Sequence, residues 1–311
     1  GIDNTALGQQ ALYSNTTGDR NTAIGKAALY TNSTGEQNTA VGYYALDHAT
    51  TGNYNTAIGD NALSALTTAS QNTAIGKSAG GALTTANDNA LIGHYAGINL
   101  TTGAGNATLG RDTLRTASTA YDNVAVGLNS LYETTTGYYN TSVGRTAGYD
   151  LTTGYNNLLL GKDSGRSNSP SGQLTTDYNV VCLGNNDIQN LYCADTSISS
   201  SDSRDKTDVT NFTHGLNWIN QLNPITYRWD KRSWYDNNTP DGSKKRNKKH
   251  IGFLAQDVLA IEGNPTNKDD MLVVNLNEDD TAYGLKYERL VPVLVNAIKE
   301  LATKVAALEA G

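Results

Sequence analysis

The sequence predicts an all-β solenoid, a parallel β-roll of 17-residue coils, followed by a small α+β domain that ends in a long helix. Three observations carry this reading: a repeat whose period never slips, a change of composition near residue 200, and apolar residues at helical spacing in the last stretch. The repeat comes first. Asn-Thr-Ala-Ile-Gly and its variants begin at Asn4, Asn21, Asn38, Asn55, Asn72, Asn89, Asn106, Asn123, Asn140 and Asn157, each 17 residues after the last. The closing glycines keep the same step from Gly8 to Gly161. Seventeen residues at about 3.3 Å each cannot hold two long strands and their turns. Each unit therefore reads as one slim coil: a short strand (Asn21 to Ile24), a glycine bend (Gly25), a second short strand around Ala28 and Leu29, and a Thr-Thr-Gly turn. Stacked coils place the Ala, Ile/Val/Leu and Ala-Leu positions in apolar columns, the asparagines in a side-chain ladder, and the glycines where positive φ is needed. These residues are scaffold, not a catalytic array.

Gly1 falls in phase with Gly18, so further coils are expected before it. The phase breaks after Gly161. Asn179 to Gly184 reads as a last coil displaced by an insertion that includes Ser169 to Gly172, and such a unit would cap the solenoid end. Over residues 1–161 these units resemble the head repeats of YadA-like trimeric adhesins and similar repeats of phage and viral tail fibres. That resemblance implies a left-handed roll with three chains packed about one axis. The domain plan is 1–161 for the solenoid, 162–200 for irregular capping turns and linker, and 201–311 for a second domain whose terminal helix spans 287–310.

Composition excludes several classes. Charged residues are 17%, so the chain is not a solvated disordered polymer. Residues 1–200 hold 8 basic and 14 acidic side chains, and residues 201–311 hold 15 and 16. Neither part is basic enough to bind nucleic acid by charge. Cys182 and Cys193 are too few for a disulfide scaffold and lack the spacing of a zinc site. Two reduced thiols and one bridge both remain open. No apolar run reaches membrane-spanning length and no signal peptide is visible, so membrane insertion is not expected. No cofactor or metal is expected.

Beyond residue 201 all three tryptophans appear, with most of the lysines. Gly215 to Leu222 reads as a short helix and Pro224 to Trp229 as a strand. Lys244 to Lys249 follows Pro240-Asp241-Gly242 and reads as a solvated hairpin loop, with anion binding as the alternative. Val291, Leu294, Ile298, Leu301, Val305 and Leu308 alternate steps of three and four, the a/d pattern of a coiled coil. Packing of that helix on its own domain is the other reading.

One segment carries a possible chemistry: Ser201-Asp202-Ser203-Arg204-Asp205-Lys206. A serine and a lysine five apart can meet across a turn, and a neutral lysine can activate a hydroxyl. A free lysine is protonated at neutral pH, so burial or a nearby cation such as Arg204 must favour the neutral form. By itself the pattern is weak. Ser201, Asp202, Arg204 and Lys206 also match the Ser-Asp-x-Arg-x-Lys motif of the C-terminal intramolecular chaperones of phage tailspikes and fibres, typified by endosialidases. His250-Ile-Gly-Phe-Leu-Ala-Gln256-Asp257-Val258 is similar to a second motif of that family, and the resemblance covers about residues 200–311.

What this resemblance implies is self-cleavage of the Ser200–Ser201 bond, with Ser201 as nucleophile and Lys206 as general base. Asp202, Arg204 and His250 stand at positions that support cleavage. His250 can equally be a structural histidine, while Gln256 and Asp257 read as architectural. The expected function is a phage or viral tail fibre, located in the virion, whose C-terminal domain drives homotrimer folding and then releases itself; a host receptor or glycan is a possible partner of the fibre. The alternative is an adhesin-like or regulatory structural protein whose C-terminal domain trimerises and stays attached. A polysaccharide-degrading tailspike is a third class. It would need paired carboxylates, and Glu36 and Glu133 are the two glutamates before residue 200.

Overall fold

Every repeat forms one three-residue strand, from β1 (Thr5–Leu7) and β2 (Thr22–Ile24) through β10 (Leu158–Leu160) to β11 (Val181–Leu183). In this computed structural model, residues 1–188, 190, 203–235, 237–276 and 283–310 are described. The chain folds as two compact units, Gly1–Gln189 and Asn190–Gly311. The eleven strands make one parallel sheet in sequence order. Equivalent residues face each other, as in Thr22↔Thr39, Ala23↔Ala40 and Ile24↔Val41. The solenoid expected from the period is therefore present.

The asparagine ladder is the polar spine of this unit. Asn89 Nδ2 donates to Asn72 Oδ1 at 3.1 Å and to the Gly103 carbonyl at 3.1 Å. Its Oδ1 accepts from the backbone and side-chain N–H groups of Asn106 at 3.0 and 3.1 Å. From Asn21 to Asn157 the column is buried, so the bonds compete with no solvent and an unmade one is costly. The glycine column is equally constrained: Gly76 has φ +134°, and a Cβ there would come within 2.5 Å of the Gly93 carbonyl oxygen.

Two expectations change. The stretch around Ala28 and Leu29 is no strand. Ala27 and Leu29 take φ values of 55° and 52°, so the backbone curls while still bonding its neighbours, Ala27 N–H to Gln9 O at 2.9 Å and Leu29 N–H to Ala45 O at 3.0 Å. Closing a 17-residue perimeter needs tight curvature, and the left-handed residues supply it; the hydrogen bonds to adjacent coils offset their strain. The second change concerns the Ile/Val/Leu column. It exists, but pleating points Ala23 inward at 0% exposure and Ile24 outward at 37%. The core is instead alanine and leucine, including Ala40, Leu46, Leu63 and Leu83.

After β10 the insertion delays the next coil, and Leu158 pairs with Val181. Leu174 and Cys182 from this stretch complete the core. Cys182 is a free, buried thiol. Burial pushes its pKa up, yet hydrogen bonds with Ser164, Ser171, Gly165 and Ser169 outweigh that and leave it lowered. Cys193 lies outside the described residues.

The second unit is α+β. It contains α1 (Leu216–Ile219), the antiparallel pair β12 (Ile225–Tyr227) and β13 (His250–Gly252), α2 (Ala255–Ile261), the antiparallel pair β14 (Val274–Leu276) and β15 (Tyr283–Leu285), and α3 (Leu290–Glu309). Trp218, Val258, Met271, Val273, Val274, Leu290 and Val293 form its core. The last helix packs on its own domain through one face and leaves its a/d residues open. Leu290, Val293 and Ala297 are buried against the domain, while Val291, Leu294, Ile298, Leu301, Val305 and Leu308 are exposed. Among the described residues no helix is long and apolar enough to cross a membrane.

Candidate functional site

The serine–lysine segment is described from Ser203 onward. Ser203–Asp205 form a 3₁₀ turn, and Lys206 N–H meets the Ser203 carbonyl at 3.4 Å. Arg204 and Lys206 are both exposed. Ser200, Ser201 and Asp202 lie outside the described residues, so the serine–lysine distance is not part of the geometry.

Downstream, the same segment is gripped by α3. Asn296 Nδ2 donates to the Phe212 and His214 carbonyls at 2.7 and 3.2 Å. Glu300 Oε2 accepts the Leu216 N–H at 3.2 Å. That carboxylate satisfies an orphan donor at the start of α1, where no side chain of Gly215 can cap. Asn296 and Glu300 were not singled out from the sequence: their backbone partners lie more than 80 residues away, and no local pattern announces them.

The second motif is one strand–turn–helix. His250 sits opposite Tyr227 in the β12–β13 pair, its ring 5.5 Å from Tyr227 and 6.3 Å from Trp229. It is half-buried between these aromatics. The motif glycine has a steric reason. A Cβ on Gly252 would come within 2.5 Å of the Tyr287 hydroxyl, which accepts the Phe253 N–H at 3.2 Å. Gln256 and Asp257 lie exposed on the first turn of α2, and Val258 beside them is buried.

Two further features accompany these motifs. Glu262, just past α2, accepts N–H groups from Leu272, Val273 and Val274 at 3.1, 2.7 and 3.2 Å, which ties α2 to β14. Lys231 lies 5.0 Å over the Trp229 ring, and burial, with Arg246 adding, lowers its pKa. A cavity of about 290 Å³ opens between Phe212, Trp218, Leu272, Arg289 and Val293. Its lining is mostly apolar and holds no pair of carboxylates, so it does not fit the glycosidase reading.

Residues 201–266 match the family described as chaperone of endosialidase, a peptidase family. This stretch is an endosialidase-type chaperone domain. No curated protein and no solved structure matches the chain. The match begins on Ser201, the first residue of the serine–lysine motif, and runs through His250, Gly252 and the whole of α2. The chaperone domain's compact unit continues beyond the match, through β14, β15 and α3, and this continuation supplies the partners of Phe212, His214, Leu216 and Gly252.

Proposed function

We propose that this chain is a segment of a phage or viral fibre whose C-terminal chaperone domain assembles three copies and then releases itself by cleaving Ser200–Ser201. The observation that carries the reading is the pairing of a chaperone-of-endosialidase match starting on Ser201 with a helix that has one apolar face buried and a second left open. Six exposed apolar residues at coiled-coil spacing on α3 fit other copies of the same helix. A chain built of near-identical coils needs such a partner. Slipping one solenoid by 17 residues against another costs little except at the ends, so a domain that associates first sets the register.

The cleavage chemistry follows from the motif. Ser201 Oγ attacks the Ser200 carbonyl carbon as Lys206 takes the hydroxyl proton. The C–O ester bond forms, the C–N bond breaks, and the proton passes to the Ser201 amine; water then hydrolyses the ester to the Ser200 carboxylate. Nucleophile and carbonyl are adjacent in the chain, so proximity is built in. A half-life of minutes corresponds to a barrier of roughly 21 kcal/mol. Lys206 is exposed in the single chain.

Intact mass on a denatured sample tests the proposal. Fragments ending at Ser200 and beginning at Ser201 are expected from wild type, and neither from Ser201→Ala nor Lys206→Ala. Uncut chains in folded wild-type trimers would sink the release step. Trimers that form and stay uncut would favour the adhesin-like alternative.

A further inference from the structure

The chaperone domain is near neutral as a whole, but its charge is unevenly spread. Residues 228–249, which connect β12 to β13, hold eight of its fifteen Lys and Arg residues and three of its sixteen acids. The remainder of the domain is acidic, with seven basic and thirteen acidic side chains. A loop that only has to stay solvated needs no such segregation, because mixed charges serve it equally well.

The fold gathers these cations from both arms of the connection. The Arg246 N–H donates to the Trp229 carbonyl at 2.8 Å, and Arg228 Nε donates to the Asn247 carbonyl at 3.2 Å. The arms therefore lie side by side, and aromatic rings interleave with the charges. Lys231 stands 5.0 Å over the Trp229 ring, Lys244 5.3 Å over Tyr235 and Arg246 4.8 Å over Trp234. Two of the three acids serve the loop itself. Asp230 accepts from the Tyr235 hydroxyl at 2.5 Å, and Asp241 accepts the Ser243 N–H at 2.9 Å.

What faces solvent is cationic and aromatic. Arg228, Lys245, Lys248 and Lys249 are exposed, and Trp229, on the same hairpin, is 43% exposed. The crowding has a cost at Lys231, whose charge is disfavoured by burial and, in addition, by Arg246. An anion held against the hairpin would offset that cost.

We infer that this hairpin binds single-stranded nucleic acid, with Arg228, Lys245, Lys248 and Lys249 on phosphates and the Trp229 ring as a platform for a base. Cations alone would take any polyanion. The exposed indole favours one whose units have a π-face of their own. A duplex keeps its bases stacked on each other and offers the hairpin phosphates only. An anionic membrane fits less well, because a membrane-surface site seats large apolar side chains below the headgroups. The tip of this hairpin, Asn237 to Ser243, has none. The inference does not depend on the cleavage reading, since every residue it uses lies between β12 and β13.

Fluorescence anisotropy of a labelled oligothymidylate of about twenty nucleotides, titrated with the full chain, tests this. Affinity should fall with salt on a log–log slope of about −3, the value that about four phosphate contacts give on a single strand. Lys245→Glu, Lys248→Glu and Lys249→Glu together should weaken binding at least tenfold. All three side chains are exposed, so circular dichroism should report an unchanged fold. Lys299→Glu with Lys304→Glu, exposed on α3, should leave the affinity as it is. Trp229→Leu should weaken oligothymidylate binding about fivefold or more and leave the binding of inorganic polyphosphate unchanged. No binding at low salt, or wild-type affinity in the triple lysine variant, would overturn the inference. So would tighter binding to a duplex of the same length or to phosphatidylglycerol vesicles, or an oligothymidylate affinity indifferent to Trp229→Leu.

Discussion

Asn89 illustrates how much one residue contributes in this solenoid. Removing its amide strands the Asn106 N–H and the Gly103 carbonyl in a buried column. Each unsatisfied buried group costs about 1–3 kcal/mol. Asn89→Ala should therefore lower the thermal midpoint of the solenoid clearly, whereas exposed Thr85→Ala should not, and calorimetry separates them. Asp163 makes a different, pH-dependent contribution. Burial alone would raise its pKa, but hydrogen bonds from Thr146 at 2.5 Å and Asn168 at 3.2 Å, with Lys162 nearby, lower it. A depressed folded pKa contributes stability above the unfolded carboxylate value, and that stability is lost as pH falls through the folded value. Asp163→Asn should thus be less stable than wild type at neutral pH, with the gap closing in acid. A gap independent of pH would contradict this assignment.

At the scale of the element, the coil is a quantum of structure. Deleting residues 72–88, one full period, should leave a shorter folded solenoid, while deleting residues 72–87 shifts every later asparagine and glycine out of its column and should abolish folding. Circular dichroism and proteolysis read the difference. The terminal helix offers a second contrast. Leu294→Asp with Ile298→Asp should abolish the proposed association and leave the chaperone domain folded, since both residues are exposed in the single chain. Val293→Asp buries a charge in the core and should unfold the domain itself. The heptad pattern was legible because period is a local property. Which apolar residues face the domain was not: Val293 and Leu294 are neighbours of like hydropathy, and only the position of Trp218 and Val273 in space separates them.

For the whole molecule, the two units have opposite folding problems. The solenoid repeats one pairing from coil to coil and so has no preferred start; the chaperone domain has a mixed topology and one defined core. Expression of residues 1–200 alone should give misaligned or open-ended aggregates by light scattering and electron microscopy, and regular trimers from that fragment would remove the reason for a chaperone. Under the proposed release, the cleaved product would be held by its unfolding barrier, not by the chaperone domain. The sequence by itself determined the number of coils, the asparagine ladder, the bend glycines and the serine–lysine and His-x-Gly motifs, because each rests on identity at fixed spacing. The tertiary structure decided the rest: that Ile24 and its equivalents face outward, that Ala28 and Leu29 curl instead of extending, and that Asn296, Glu300 and Tyr287 brace segments distant in the chain. The physical reason is that inward and outward, or near and far, are relations between elements, and a repeat fixes only the relation of each coil to its own copy.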